Sequence, residues 1–304
     1  MFIGLDHNTF HKTFSNDESC LKYLSELKWG KGFKCRKCEN EQWRKGNNSY
    51  HRRCKGCGYD ESPTAHTMFH KCKLGIRKAF EGLFLIAIDK KGISSWMLKD
   101  AIKSNQKSAW LLRRKAQNVM ESSGNSPLKT IVHVDEFSVG GNRPGKQGRS
   151  LDGKQHCFLA VEIVKNKKGN VTTGRAYAQP IKNFEAATFK GVMNNFISVE
   201  AEIKSDGFAS YIPMMKEYLK LEMVLSDKGR SMLHLHNHIM NIKNWLRGTH
   251  HSVHEDHFGA YLNEFHFRFN RRSKTMRPKI FHMLLNKMTT ARPLTYQQIK
   301  GMAA

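Results

Sequence analysis

Thr130-Ile131-Val132-His133-Val134-Asp135 and, 71 residues further along, Ala201-Glu202-Ile203-Lys204-Ser205-Asp206 are two runs of strand length that each end in an aspartate. Acids that close two neighbouring strands meet at one edge of a sheet, where their mutual repulsion favours a bridging divalent cation. The segments between them decide the rest. Cys157 to Val164 and Arg175 to Ala178 read as strands, and Glu185 to Phe196 as a helix. Three consecutive strands, a helix and a fourth strand, with acids ending the first and fourth, is the order of an α/β, RNase H-like catalytic core. A Rossmann unit is disfavoured, because no Gly-rich fingerprint follows the first strand.

Charge points the same way. Lys and Arg total 51 against 26 Asp and Glu, a formal net charge of +25 over 304 residues, with 16 His besides. Such an excess calls for a polyanionic partner, of which nucleic acid is the leading class. It is also concentrated: ten Lys or Arg against three acids between Lys28 and Asp60, and thirteen against three from Lys228 onward. Nine His share that last segment. With 39% hydrophobic residues and 18 Phe, the chain still builds cores, so a disordered basic tail is excluded. The first ten residues lack a secretory pattern, and the longest apolar stretch, Ala79 to Ile88, is interrupted by Glu81 and too short to span a bilayer. The expectation is a cytoplasmic, nucleoid-associated protein without a membrane partner.

Four of the seven Cys form two knuckles, Cys35-Arg36-Lys37-Cys38 and Cys54-Lys55-Gly56-Cys57, separated by fifteen residues. That spacing is a strong zinc-ribbon signal, and four thiolates leave the ion structural, with no open position for water. Interleaved Lys, Arg, Trp43 and His51 suit a module that grips nucleic acid. Cys20, Cys72 and Cys157 remain as buried apolar thiols.

The organisation predicted from pattern is an N-terminal helical segment (1–27), a zinc ribbon (28–72), a helical region (73–121), the RNase H-like domain (128–272) and a basic C-terminal segment (273–304). Within the helical region, breaks at Lys90-Lys91-Gly92 and Ser104-Asn105-Gln106 separate three helices. Ser94 or Ser95 near the second start makes the pair compatible with a helix-turn-helix DNA reader and equally with a plain helical linker.

Longer motifs carry a resemblance. Trp29-Gly30-Lys31-Gly32-Phe33, Val134-Asp135-Glu136, Ser205-Asp206-Gly207, the run from Asn241-Ile242-Lys243-Asn244-Trp245-Leu246-Arg247 to His251, and Tyr261-Leu262-Asn263-Glu264-Phe265 to Arg272 resemble zinc-ribbon insertion-sequence transposases of the DDE superfamily, the ISXO-like group. The resemblance runs from about Ser15 to Arg272. It implies a catalytic domain that uses Mg2+ or Mn2+ to cut the ends of a mobile element and join them to target DNA, working as a homo-oligomer on those ends. Asp135 and Asp206 match the first two acids.

The third acid is where the chain departs from that pattern. The family's Glu lies seven residues before a Lys, two helical turns along one face; Lys243 fits the Lys, and His236 stands where the Glu belongs. A neutral imidazole adds no charge and favours softer ions such as manganese. Asn241 is the next candidate after His236, with His234 and His238 as competing neighbours, and Glu264 ranks below His236 because its place in the 261–265 run looks structural in the family. Lys243, Arg247, Arg268, Arg271 and Arg272 are the expected phosphate contacts, with Phe267 and Phe269 directed to a core. The competing functions are a DNA-binding protein that has lost catalysis with its third carboxylate, and a hydrolytic nuclease of the same fold.

Overall fold

The computed structural model describes residues 1–122, 124–140, 153–225, 227, 230–250 and 253–301. In chain order the elements are α1 (His7–Thr13), α2 (Asp17–Trp29), β1 (Trp43–Lys45), β2 (Arg52–Cys54), β3 (Asp60–Glu61), α3 (Ile76–Ile88), α4 (Ser95–Ala101), α5 (Gln106–Val119), β4 (Ile131–Val139), β5 (Gln155–Lys165), β6 (Val171–Ile181), α6 (Ala186–Phe196), β7 (Glu202–Ser205), β8 (Leu221–Met223), α7 (Leu233–Thr249), α8 (Glu255–Phe269), α9 (Ile280–Thr290) and α10 (Tyr296–Gly301). They divide into two compact units, one of residues 1–120 with residues 271–301, the other Glu121–Asn270. No helix among the described residues is long and apolar enough to cross a membrane.

In the first unit α2 starts at a capping box, in which Asn16 accepts from the Ser19 N–H and Ser19 reciprocates. The ribbon is a three-stranded antiparallel sheet, β1-β2-β3. Ser94 caps α4 by accepting from the Met97 N–H at 3.2 Å, and α5 follows after a short turn. The helix-turn-helix order is therefore present, although α5 buries Leu112, Arg113, Arg114 and Ala116. The segment expected as a basic C-terminal stretch forms α9 and α10. Phe281 of α9 joins Phe2, Phe10, Phe14, Phe80 and Phe84 in one aromatic core, with Phe10 and Phe84 stacked at 4.3 Å. Cys20 is fully buried, and burial pushes its thiol up to about 12.

The second unit is a five-stranded sheet of order β6-β5-β4-β7-β8 between two helical layers. β4, β5 and β6 run antiparallel, while β7 and β8 run parallel to β4. This is the RNase H-like order. Alternation divides the strands between two cores: Val132, Val134, Phe158 and Ala160 face α6, and Phe137, Cys157, Leu159 and Val161 face α7 and α8. The four predicted strands and the α6 helix are present with ends shifted by a few residues; β8 completes the sheet at one edge.

Candidate active site and zinc centre

The parallel ladder between β4 and β7 pairs Ile131 with Glu202, Val132 with Ile203 and His133 with Lys204. The same offset, continued, sets Asp135 level with Asp206, which directly follows the last residue of β7. Asp135, Glu136 and Asp206 each bring a carboxylate oxygen within 4.8 Å of the others. All three are half-buried. Their orientations are set locally. Asp135 Oδ1 accepts from the Glu136 N–H at 2.8 Å, and Asp206 Oδ1 accepts from the Phe208 N–H at 3.2 Å. Glu136 Oε2 accepts from the Tyr211 hydroxyl at 3.1 Å. Tyr211 is fully buried; burial first, and then the neighbouring carboxylates, hold its phenol well above the ordinary range, so it stays a donor.

Helix α7 packs through Leu235, Ile239, Ile242 and Leu246 on the sheet face from which Asp135 projects. His236 and Lys243 share a face of it. His236 Nδ1 is 3.9 Å from Asp135 Oδ2. Lys243 Nζ lies 5.7 Å from the centre of the Phe137 ring, and burial, reinforced by Arg247, lowers its pKa against the opposing pull of Asp135. Lys243 and Arg247 also line a cleft of about 600 Å³ with Ser138, Gln155 and His250.

The competing third positions lie elsewhere. Asn241 is exposed, and five residues from His236 is 140° around the helix from it. His238 is buried, its Nε2 3.2 Å from His266 Nε2. Glu264 is fully buried, with Arg268 Nη2 donating to its Oε1 at 3.0 Å. His234 is half-buried beside the β4 face that carries His133. Arg268, expected on DNA, is thus engaged inside the fold, its side chain 11% exposed. Arg247 and Arg272 are exposed and Arg271 is half-buried.

In the ribbon, the sulfurs of Cys35, Cys38, Cys54 and Cys57 lie within 4.8 Å of one another. Lys37 N–H donates to Cys35 Sγ at 3.4 Å and Gly56 N–H to Cys54 Sγ at 3.3 Å, so each knuckle folds its backbone around a sulfur. The backbone N–H of Cys57 draws the Cys54 thiol down to about 7. Behind the knuckles, the Arg52 guanidinium lies 4.8 Å from the Trp29 ring and 4.0 Å from the Trp43 ring.

Compared with known families, residues 127–270 match the ISXO2-like transposase domain and residues 15–60 match the transposase zinc-ribbon domain. The chain belongs to the zinc-ribbon insertion-sequence transposases of the DDE superfamily. A search of curated proteins gives no match. The catalytic-domain match ends at residue 270, where the transposase's second unit ends. Its four converging thiols fit structural zinc in number and chemistry. The second cluster of the transposase, three carboxylates with an imidazole nearby, is a hard donor set suited to magnesium or manganese. Glu136 was missed as a site residue by sequence reasoning. Strand alternation assigns it to the face opposite Asp135, and only its length, with the Tyr211 contact, returns its carboxylate to the cluster.

Proposed function

We propose that this transposase binds the ends of its element and catalyses strand cleavage followed by transfer into target DNA. The observation that carries the reading is the convergence of Asp135 and Asp206 from adjacent parallel strands, with His236 3.9 Å from Asp135. Asp135, Asp206 and His236 would hold the divalent ions. The chemistry that Mg2+ or Mn2+ supplies there is Lewis-acid activation of the attacking oxygen and charge neutralisation at the leaving oxygen. Lys243 and Arg247, which line the cleft, hold the phosphates on either side of the scissile bond. By holding the backbone they align water at an element end in the first step and the freed 3′ hydroxyl in the second. No covalent bond to protein is needed.

The ribbon and the helical region of the first unit are the proposed readers of the terminal inverted repeats, with Arg271 and Arg272 as further phosphate contacts. Joining two ends calls for at least two protomers on DNA. The test is cleavage and joining of labelled DNA bearing the element's flanking ends, with Mg2+ or Mn2+, by the wild type beside Asp135→Asn and His236→Ala. Metal-dependent joining that both substitutions abolish supports the whole reading. Binding of the ends with no cutting under either ion refutes catalysis, and cutting without joining makes the protein a nuclease.

A further inference from the structure

Replacement of a carboxylate by His236 leaves a charge deficit. Two divalent ions bring four positive charges, and Asp135 and Asp206 supply only two negative ones, because a neutral imidazole adds none. A third anion in the same cluster removes the deficit, and Glu136 is placed to provide it.

Asp135 and Glu136 are consecutive in β4, so their side chains leave the sheet on opposite faces. Asp135 shares its face with Phe137, in the core that includes α7, and meets His236 there. Glu136 shares its face with Val132 and Val134, in the core that includes Tyr211. An unconstrained Glu on that face would extend away from Asp135. Instead its carboxylate lies within 4.8 Å of those of Asp135 and Asp206. Tyr211 holds it, donating at 3.1 Å from a fully buried position in the 3₁₀ turn Ala209–Lys216. The same connection presents Asp206, whose side chain is fixed by the Phe208 N–H just before the turn. One loop therefore delivers the second acid and the clamp for the third.

We infer that Glu136 is a ligand of the catalytic divalent ion, approaching from the sheet face opposite His236, and that Tyr211 is its positioning residue. This rests on the proposed metal-dependent function of the Asp135–Asp206 pair. The site is then a carboxylate triad drawn from one strand and its parallel neighbour, with the helix contributing a neutral ligand.

The test uses the full-length, zinc-loaded protein and Mn2+ as probe, read by calorimetry and electron paramagnetic resonance, with strand cleavage in parallel. Glu136→Gln is expected to weaken Mn2+ binding at least about tenfold and to lower cleavage, since even outer-shell partners are worth about 10- to 100-fold in affinity. Tyr211→Phe is expected to weaken it less, in the same direction. Thermal unfolding supplies a readout independent of activity. Without a divalent ion Glu136→Gln melts above the wild type, because one of three crowded like charges is gone. With saturating Mn2+ the order reverses, because the wild type gains more from the ion. Wild-type Mn2+ affinity in Glu136→Gln, with affinity lost in Asp135→Asn, overturns the assignment of Glu136 and leaves the proposed function standing. Unchanged affinity in both variants overturns both.

Discussion

Glu264→Gln separates a structural acid from a catalytic one. Glu264 is the alternative third acid, ranked below His236 because its place in the 261–265 run looks structural in the family, and its side chain is fully buried on α8 and paired with Arg268 at 3.0 Å. The guanidinium side chain is only 11% exposed. Neutralising the acid leaves that cation in a poorly solvated position. Removing one partner of a buried pair costs about 3 to 5 kcal/mol, and the lower end applies here because Gln keeps an acceptor and water reaches part of Arg268. For a unit of about 150 residues, each kcal/mol is worth about 2–4 °C, so a loss of about 3 kcal/mol lowers the melting temperature by about 6–12 °C. Unfolding is followed by the fluorescence of Trp245, the sole Trp between Glu121 and Asn270, and by hydrogen exchange on α7 and α8. Mn2+ affinity below the unfolding range should stay within about twofold of wild type, as expected for a residue outside the ligand set. A variant that keeps its melting temperature but loses Mn2+ binding would refute the reasoning and return Glu264 to the ligand set.

Three further outcomes are expected. Cys35→Ser should lose zinc, measured by atomic emission, and unfold the ribbon, since structural zinc contributes about 10–16 kcal/mol of apparent folding energy in such modules; retained end binding by the metal-free variant would refute a role for the ribbon in DNA recognition. His266 is fully buried, and burial pushes its pKa from 6.5 to about 4 while Nδ1–H donates to the Leu262 carbonyl at 2.8 Å. The unfolded chain then takes up a proton that the folded one refuses, so this contribution to stability is complete above pH 6.5, falls as the pH drops toward 4, and is flattened in His266→Asn, as checked by urea titration across that range. His236→Glu should restore an anionic third ligand and move the preference for ion from Mn2+ toward Mg2+, measured as the ratio of joining rates with the two ions; an unchanged ratio would mean that position 236 does not touch the ion.

The fold was legible where patterns are local. Residues 157–164 read as a strand because all but Glu162 are apolar, and β5, Gln155–Lys165, runs slightly beyond them with most of its positions buried. The ribbon was legible because four thiols at fixed spacing admit few other uses. β8 was not: three residues, Leu221–Met223, give too short a run to show alternation, and only pairing with β7 makes them a strand. At the C-terminus the charge count dominated. Ile280, Phe281, Leu284, Leu285 and Met288 recur at helical spacing, and all are buried, but the Lys and Arg around them read as a DNA-facing tail. The Arg268–Glu264 pair shows the converse. Its four-residue spacing was visible, whereas its burial depends on how α8 packs and could not be read from sequence.

Within the site, the positions differ in how freely they can change. Asp135 belongs to a strand and Asp206 follows one directly, and the hydrogen-bonded register between those strands fixes their separation, so moving either acid means breaking the sheet. Position 236 is carried by α7, which is anchored by apolar contacts at Leu235, Ile239 and Ile242 that do not depend on the side chain facing the acids. The residue at position 236 can therefore be exchanged at little cost to the fold. What the exchange alters is charge, and a neighbour held by a buried hydroxyl, as Glu136 is by Tyr211, can compensate for it without any change in backbone. On the proposed assignment, the chemistry of the ligand at position 236 is thus separable from the architecture that holds it.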